Sequence, residues 1–141
     1  MTPIDNTSDL ILKNEGIRFH PYLCPAGYLT IGVGRNLDST GITREEALYL
    51  RDNDIRRVEG ELDEGLLWWR ELSAVRQAVL ADMCFNLGFH GLLGFVRVLM
   101  AFQRRDWPQA AAEIRNSDYY SQVGIRAKRL IRMVETDEWP T

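Results

Sequence analysis

The sequence predicts an α+β fold that is mostly α, with one small β-hairpin followed by a series of helices. Three observations support this fold class. The chain has 141 residues, which suits one domain with a real core. Apolar residues alternate with a period of two over residues 28–34, as in a strand. From residue 43 onward, apolar residues recur at helical spacing instead.

A short helix is expected before the hairpin, and its end places an acidic side chain. Thr7 or Ser8 is predicted to cap this helix, and Gly16 is the residue type that ends one with a left-handed backbone. Glu15 is then the last helical residue. A negative charge there faces the negative end of the helix dipole, which disfavours the ionised carboxylate.

The hairpin can be placed from its turn chemistry. Residues 25–27, Pro-Ala-Gly, suit a three-residue loop in which a type I turn is followed by a glycine with positive φ. This register sets Cys24 opposite Tyr28, and therefore on the same face as Thr30. Because apolar side chains normally face the core, Thr30 is expected to face outward, opposite to Leu29, Ile31 and Val33.

Further helix signals follow the hairpin. Thr43 and Glu46 form a capping box, which opens a helix that fades near residue 60. The run 66–69, Leu-Leu-Trp-Trp, predicts a short helix or turn packed on the core. Ser73 is a plausible cap for a buried helix that ends at Gly88. Helices are also expected over 95–104, from Asp106 through residue 114, and over 125–135.

Composition excludes several classes of protein. Apolar residues make up 45% and charged residues 26% of the chain, which is ordinary for a soluble globule. Two cysteines sixty residues apart do not form a disulfide framework, so two free thiols are expected, with Cys84 in the core. His20 and His90 are far apart and suggest no metal site, and the chain has no nucleotide-binding loop.

Charge and the N-terminal segment bear on partners and location. The net charge is −3, but residues 97–132 hold eight basic and three acidic residues. This basic stretch is either a solvated face or a surface that meets an acidic cell-wall polymer. The first residues lack the features of a signal peptide, so the protein is expected to be cytosolic on synthesis.

The residues around the hairpin resemble a known family. Glu15, Cys24 and Thr30 match the pattern of a Glu, eight residues, an Asp or Cys, five residues and a Thr, and the stretch 28–34 matches as well. This pattern is typical of the bacteriophage lysozymes of the T-even type, glycoside hydrolase family 24. Residues 76–88 and 126–129 resemble the family's central helix and a later basic stretch.

The resemblance implies a lysozyme-like two-lobe fold in a single catalytic domain spanning 1–141. Its parts would be a small hairpin lobe over 16–42, a connecting helix over 43–60, and a larger helical lobe over 61–141 together with the N-terminal helix. The cleft would lie between the lobes. The segment between Thr30 and Thr43 is shorter here than in the T-even enzymes, so the small lobe is expected to be little more than one hairpin.

The resemblance also implies a chemistry: hydrolysis of the β-1,4 bond between N-acetylmuramic acid and N-acetylglucosamine in bacterial peptidoglycan. Glu15 would be the general acid, while Cys24 and Thr30 position water for an inverting attack. By position, Phe85 would line the substrate site and Arg126 would reach wall peptide or glycan. No cofactor, metal, nucleic acid or membrane insertion is implied. The enzyme would be a monomer that lyses the bacterial host after another protein opens the membrane.

Alternatives remain open on sequence alone. Cys24 could attack the sugar covalently instead of holding water. The protein could be a lytic transglycosylase that works with one Glu and gives anhydro-sugars, or a wall-binding module without activity. A nucleic-acid binder fits less well, because the chain is acidic overall. The family position of a buried His holds Arg35, and Asp54 occupies its partner position, so these two are predicted to form an ion pair.

Overall fold

The computed structural model describes residues 3–141, which form two compact units, unit 1 over residues 3–50 and unit 2 over residues 51–141. Helix α2, Arg44–Gly65, crosses the boundary. It is five residues longer than the helix predicted to fade near residue 60. Among residues 3–141, no helix has the length and apolar character needed to cross a membrane. The two-lobe division predicted from the resemblance stays a prediction.

Unit 1 contains a short helix and a small sheet. Helix α1 spans Thr7–Glu15, and strands β1, β2 and β3 span Arg18–Leu23, Leu29–Gly32 and Arg35–Asn36. The strands form one antiparallel sheet in the order β1-β2-β3. The mostly helical α+β class is thereby confirmed. The sheet has a third strand that alternation could not reveal, because two residues are too few to show a period.

Helix α1 places Glu15 as predicted. Glu15 is its last residue, and Gly16 follows with φ 69° and ψ −171°, a region of backbone space that only glycine enters readily. The N-cap is Asn6, whose Oδ1 accepts from the backbone N–H of Asp9 at 2.9 Å, so the prediction of Thr7 or Ser8 is wrong. Thr7 already has helical geometry and lies one position too late to cap.

The predicted hairpin register is confirmed. The N–H of Gly27 donates to the carbonyl of Cys24 at 2.8 Å, and the N–H of Cys24 donates to the carbonyl of Tyr28 at 2.9 Å. Gly27 has a φ of 87°, as a three-residue loop requires at its last position. Cys24 therefore stands opposite Tyr28.

Thr30 does not face outward. Its exposed fraction is 3%, and it is the one buried polar residue among residues 3–141. Thr30 lies on the middle strand and pairs with Tyr22 on one side and Asn36 on the other. The prediction assumed an apolar core beneath the sheet. Leu29 and Val33 are instead exposed, and no apolar side chain in residues 3–50 is fully buried.

Arg35 pairs with Glu46 rather than with the predicted Asp54. Its Nη1 and Nη2 donate to Glu46 Oε1 and Oε2 at 2.9 and 2.7 Å, a bidentate pair. Asp54 accepts from Arg57, one helical turn further on. Glu46 is also the capping-box acid, because its Oε1 accepts from the N–H of Thr43, and this part of the prediction is confirmed.

Unit 2 is helical and holds the hydrophobic core. After a 3₁₀ turn at Trp69–Glu71 come α3 (Ala74–Leu87), α4 (Phe89–Leu93), α5 (Val96–Arg104), α6 (Trp107–Arg115), α7 (Asp118–Val123) and α8 (Ile125–Thr136). Helix α3 is the central buried helix, as predicted. Its fully buried side chains, which pack with those of the surrounding helices, are Val79, Leu80, Met83 and Cys84.

The start of α3 is tied to the end of α8. Ser73 caps α3 by accepting from the N–H of Arg76, as predicted. The guanidinium of Arg76 donates to the carbonyl of Val134 at 3.0 and 2.7 Å and lies 4.0 Å from the ring centroid of Trp107. These contacts satisfy a carbonyl that the end of α8 leaves without a helical partner.

The Arg35–Glu46 pair should make stability depend on pH. Hydrogen bonds from Arg35, and then from the backbone of Thr43, lower the pKa of Glu46 to about 2. Its pKa in the unfolded chain is about 4.3, so the pair stabilises the fold above that pH and loses its effect as the pH falls toward 2. We expect Arg35→Gln to lower the melting temperature at neutral pH, and the difference from the native chain to shrink below about pH 4.3.

Thermal melts followed by circular dichroism across this pH range would test the pair. Asp54→Asn is the matched control, because Asp54 contacts only the exposed Arg57 and should change the melting temperature little at any pH. A larger loss in Asp54→Asn than in Arg35→Gln would contradict this assignment.

Candidate active site

The carboxyl group of Glu15 lies against the backbone of Gly34. A β-carbon built on Gly34 would stand 2.7 Å from Glu15 Oε2 and 2.9 Å from the carboxyl carbon. Gly34 also has a φ of 67°, which L-residues adopt rarely. Helix α1 thus delivers Glu15 at its end, and a glycine after β2 leaves the space that its carboxyl group fills.

Cys24 and Thr30 are brought together on the same face of the hairpin, as the register predicted. The Thr30 hydroxyl donates to the carbonyl of Tyr28 at 2.8 Å, and it also acts on the Cys24 thiol as a hydrogen-bond partner. One hydroxyl proton cannot serve both acceptors at once. We infer that it points to Tyr28 when Cys24 is neutral and turns toward the sulfur when Cys24 is a thiolate.

The hairpin turn favours the thiolate of Cys24. The backbone of Tyr28 has the largest effect in lowering the pKa of this thiol, and the backbones of Ala26 and Gly27 and the Thr30 hydroxyl act in the same direction. Partial desolvation opposes them without reversing the shift. A turn whose N–H groups converge on one side chain stabilises a negative charge there. Cys24 is therefore more readily ionised than an ordinary thiol.

The second cysteine has the opposite character. Cys84 is 1% exposed within the core, and burial raises the pKa of its thiol. Both thiols are free, as the sequence predicted. Only Cys24 combines access to solvent with a stabilised thiolate.

Unit 1 therefore offers three groups with different chemistry. Glu15 can give or take a proton, the Cys24 sulfur can accept one, and the Thr30 hydroxyl can orient a small polar molecule. Among residues 3–141, no cluster of three or more His, Cys, Asp or Glu side chains could hold a metal ion.

Phe85 and Arg126, the two predicted substrate contacts, line one groove within unit 2. Its volume is about 540 Å³, and its surface is mainly apolar, with aromatic contributions from Trp69, Phe85 and Trp139. Phe85 is 45% exposed, which is unusual for a large apolar side chain on the central helix. The structure thus brings these two residues to a single concave surface, which we call the Phe85 groove.

Arg126 is already engaged in that groove. Its Nε and Nη2 donate to the two carboxylate oxygens of Asp82 at 2.8 and 3.0 Å, and Nη2 also donates to the Asp82 carbonyl at 3.3 Å. Asp82 raises the pKa of Arg126, so the guanidinium stays charged. An anionic ligand of Arg126 would have to share it with Asp82.

Sequence reasoning missed two participants. The first is Gly34, because only the structure shows that the Glu15 carboxyl group occupies the space beside it. The second is Asp82, which gives no signal in the sequence because a single acid on α3 is also expected on a solvated helix face. Its pairing with Arg126, 44 positions along the chain, appears only in three dimensions.

The difference between the thiols predicts their reactivity. We expect iodoacetamide to modify Cys24 at least about tenfold faster than Cys84 near neutral pH, because the reactive species is the exposed thiolate. The midpoint of its pH–rate profile should lie below that of an ordinary thiol, because the hairpin turn lowers the pKa of Cys24. Thr30→Val should raise this midpoint by removing one of the stabilising partners.

Peptide mapping by mass spectrometry would follow both thiols in the same sample. A short peptide carrying the sequence of residues 22–28 is the reference for an unfolded Cys24. If the folded protein and this peptide showed the same midpoint, the hairpin would not stabilise the thiolate.

Comparison with known proteins supports the resemblance. The sequence model of the family described as phage lysozyme matches residues 12–132. Probable T4-type lysozymes 1 and 2 of Dictyostelium discoideum are 25% and 23% identical, each over 94% of this chain and 95% of their own length. The pre-baseplate central spike protein Gp5 of Enterobacteria phage T4 is 27% identical over 95% of this chain, which spans only 28% of that longer protein.

The match to the family covers the end of α1 that carries Glu15 and the hairpin that carries Cys24 and Thr30. It continues through α2 and the helices of unit 2 and ends within α8. Peptidoglycan is the substrate that this family implies. The chain belongs to the phage lysozyme family and is a lysozyme hydrolase of the T4 type.

Proposed function

We propose that this lysozyme is an inverting muramidase that cleaves the β-1,4 bond between N-acetylmuramic acid and N-acetylglucosamine. The observation that carries the proposal is the placement, in unit 1, of a carboxyl group at a helix end and a thiol–hydroxyl pair on a hairpin. An inverting glycosidase needs a proton donor for the leaving oxygen and a group that activates water on the other face of the sugar.

Glu15 is the proposed proton donor. It must carry its proton when substrate binds, because it gives that proton to the leaving oxygen. The absence of a side chain at Gly34 leaves the space in which its carboxyl group lies. The placement of the donor matters, since a proton transfer tolerates little displacement.

Cys24 and Thr30 are the proposed water site. The lone pairs of the Thr30 hydroxyl accept a hydrogen bond from the attacking water, whichever of its two acceptors its own proton serves. The Cys24 thiolate accepts the other hydrogen and takes the proton as the oxygen attacks the anomeric carbon. Glu15 gives its proton to the leaving oxygen in the same reaction, so the proton count balances.

The wider role follows the family. We propose that the Phe85 groove contacts the glycopeptide, with Phe85 against a sugar. Arg126 would bind a carboxylate of the substrate while it also stays paired with Asp82. We also propose that the enzyme acts as a monomer in lysis of a bacterial host. The similarity to two T4-type lysozymes along nearly their whole length supports this role.

Digestion of purified peptidoglycan in oxygen-18 water, followed by mass spectrometry, would test the reaction. We expect products that end in a reducing sugar carrying one heavy oxygen, with the anomeric configuration inverted in early NMR spectra. Glu15→Gln should lower the rate by at least about 100-fold, since general acids contribute this much or more. Asp9→Asn removes another acid from the same helix and should retain activity.

Other outcomes would select the rival functions. Anhydro-sugars without heavy oxygen would mean a lytic transglycosylase. Such an enzyme needs only one carboxyl group, and position 24 carries a cysteine, not a second carboxylate. Retention of configuration, with a sugar covalently attached to Cys24, would assign the nucleophile to the thiol. Binding without any product would leave a wall-binding role.

Gly34 should be essential for a reason separate from backbone strain. We expect Gly34→Ala to lower kcat about 100-fold, because its methyl group would overlap the carboxyl group of Glu15. Gly32→Ala is the matched control: Gly32 has a φ of 68°, close to the 67° of Gly34, but a β-carbon there would meet nothing within 4 Å.

Steady-state rates on peptidoglycan, with melting temperatures as a check on folding, would separate the two variants. Both should lose similar stability, and only Gly34→Ala should lose the larger part of its activity. Equal activities would show that the Gly34 contact does not position Glu15.

A further inference from the structure

Unit 2 has a second groove, which shares no lining residue with the Phe85 groove. It is bounded by helices α6, α7 and α8 and has a volume of about 360 Å³. Three of its lining side chains are basic and one is acidic. The lining residues of this feature, which we call the basic groove, are Arg115, Tyr120, Lys128, Ile131, Arg132 and Glu135.

The positive charges of the basic groove are poorly compensated. Lys128 and Arg132 are exposed, and neither lies within 4.0 Å of a carboxylate among residues 3–141. They stand four residues apart on one face of α8, where like charges repel and weaken a helix. Arg115 lies 3.6 Å from Glu135, with both side chains about half exposed, which is a weak pair.

The chemistry of the groove suits an oxyanion. Arg115 and Arg132 offer planar guanidinium donors, Lys128 adds a compact positive charge, and the half-buried Tyr120 contributes a hydroxyl. The buried Ile131 forms an apolar floor. A carboxylate could bind several of these donors at once. The positive charge of the groove contrasts with the net charge of −3 of the whole chain.

We propose that the basic groove is an accessory binding site for the peptide carboxylates of peptidoglycan, distinct from the Phe85 groove. The proposal rests on the proposed function, which makes peptidoglycan the polymer that this protein meets. Exposed charges bind one carboxylate weakly. A wall presents many copies, however, so a second weak contact raises the local concentration of the polymer around the enzyme.

The site should act through binding, not through the chemical step. None of its residues belongs to the unit that carries Glu15, Cys24 and Thr30. Loss of the site should therefore raise the KM for insoluble wall and leave kcat unchanged. Added salt should weaken its contribution, because exposed charges are screened over about 8–10 Å at ordinary ionic strength.

Co-sedimentation with insoluble peptidoglycan would test the proposal. The protein would carry Glu15→Gln so that the wall stays intact, and the peptidoglycan would be freed of phosphodiester polymers with hydrofluoric acid. The groove variant is Lys128→Gln with Arg132→Gln. The control, Arg97→Gln with Arg104→Gln, removes the same charge from α5 in the same unit, where neither arginine has a carboxylate within 4.0 Å among residues 3–141.

The groove variant should bind with a Kd raised about three- to tenfold at low salt, and the control should stay within about twofold of the parent. The difference should diminish when sodium chloride is raised from about 50 to 300 mM. Equal losses in both variants would reduce the effect to overall charge and overturn the proposal. So would no loss, or a loss seen only on walls that retain phosphodiester polymers.

The two proposals fail in different ways. If the chain with Glu15 intact releases no sugar, while the groove variant still loses binding, the muramidase reaction is refuted and the basic groove stands. If the native chain hydrolyses peptidoglycan and the groove variant binds it normally, only the basic groove is refuted. A parent protein that does not sediment with the wall at all would also overturn the groove.

Discussion

The smallness of unit 1 constrains everything that its site can be. Residues 3–50 bury no apolar side chain completely, so hydrogen bonds and backbone geometry must hold Glu15, Cys24 and Thr30 in place. The carbonyl of Tyr28 accepts from both the backbone of Cys24 and the side chain of Thr30, and in this way it links these two residues. The bidentate pair of Arg35 and Glu46 ties the sheet to the start of α2. Polar contacts are directional, and they fix positions more sharply than packing in a sheet this small.

The parts of unit 1 that depend on residues close together in the sequence could be predicted from the sequence. Gly16 ends α1, residues 25–27 form the turn, and Thr43 with Glu46 opens α2, because each depends on residues no more than four apart. Thr30 could not be placed in this way. Alternation assigns a face only where an apolar layer lies under the sheet, and no apolar side chain in residues 3–50 is fully buried. The partner of Arg35 could not be predicted locally either, because Glu46 is 11 positions away on a different element.

The helical unit was easier to predict in outline and harder in detail. Its core is a pattern of apolar residues at helical spacing, so α3 and its cap could be recognised directly. Its ion pairs could not, since Asp82 and Arg126 are 44 residues apart and each alone resembles a solvated charge. Asp82 orients the guanidinium of Arg126. A carboxylate that bound Arg126 would meet an ordered guanidinium, but it would also face the charge of Asp82.

The contact between α3 and α8 in unit 2 affects the order in which the chain folds. Arg76, near the start of α3, donates to the carbonyl of Val134 and lies 3.6 Å from the carboxylate of Asp137, and α3 also packs against α8. During synthesis α3 emerges well before α8, so its partners are missing while the intervening helices form. The loop between these residues must then close over 58 positions, at an entropic cost that grows only slowly with length. The helical unit therefore completes its core late in translation, after its final helix has left the ribosome.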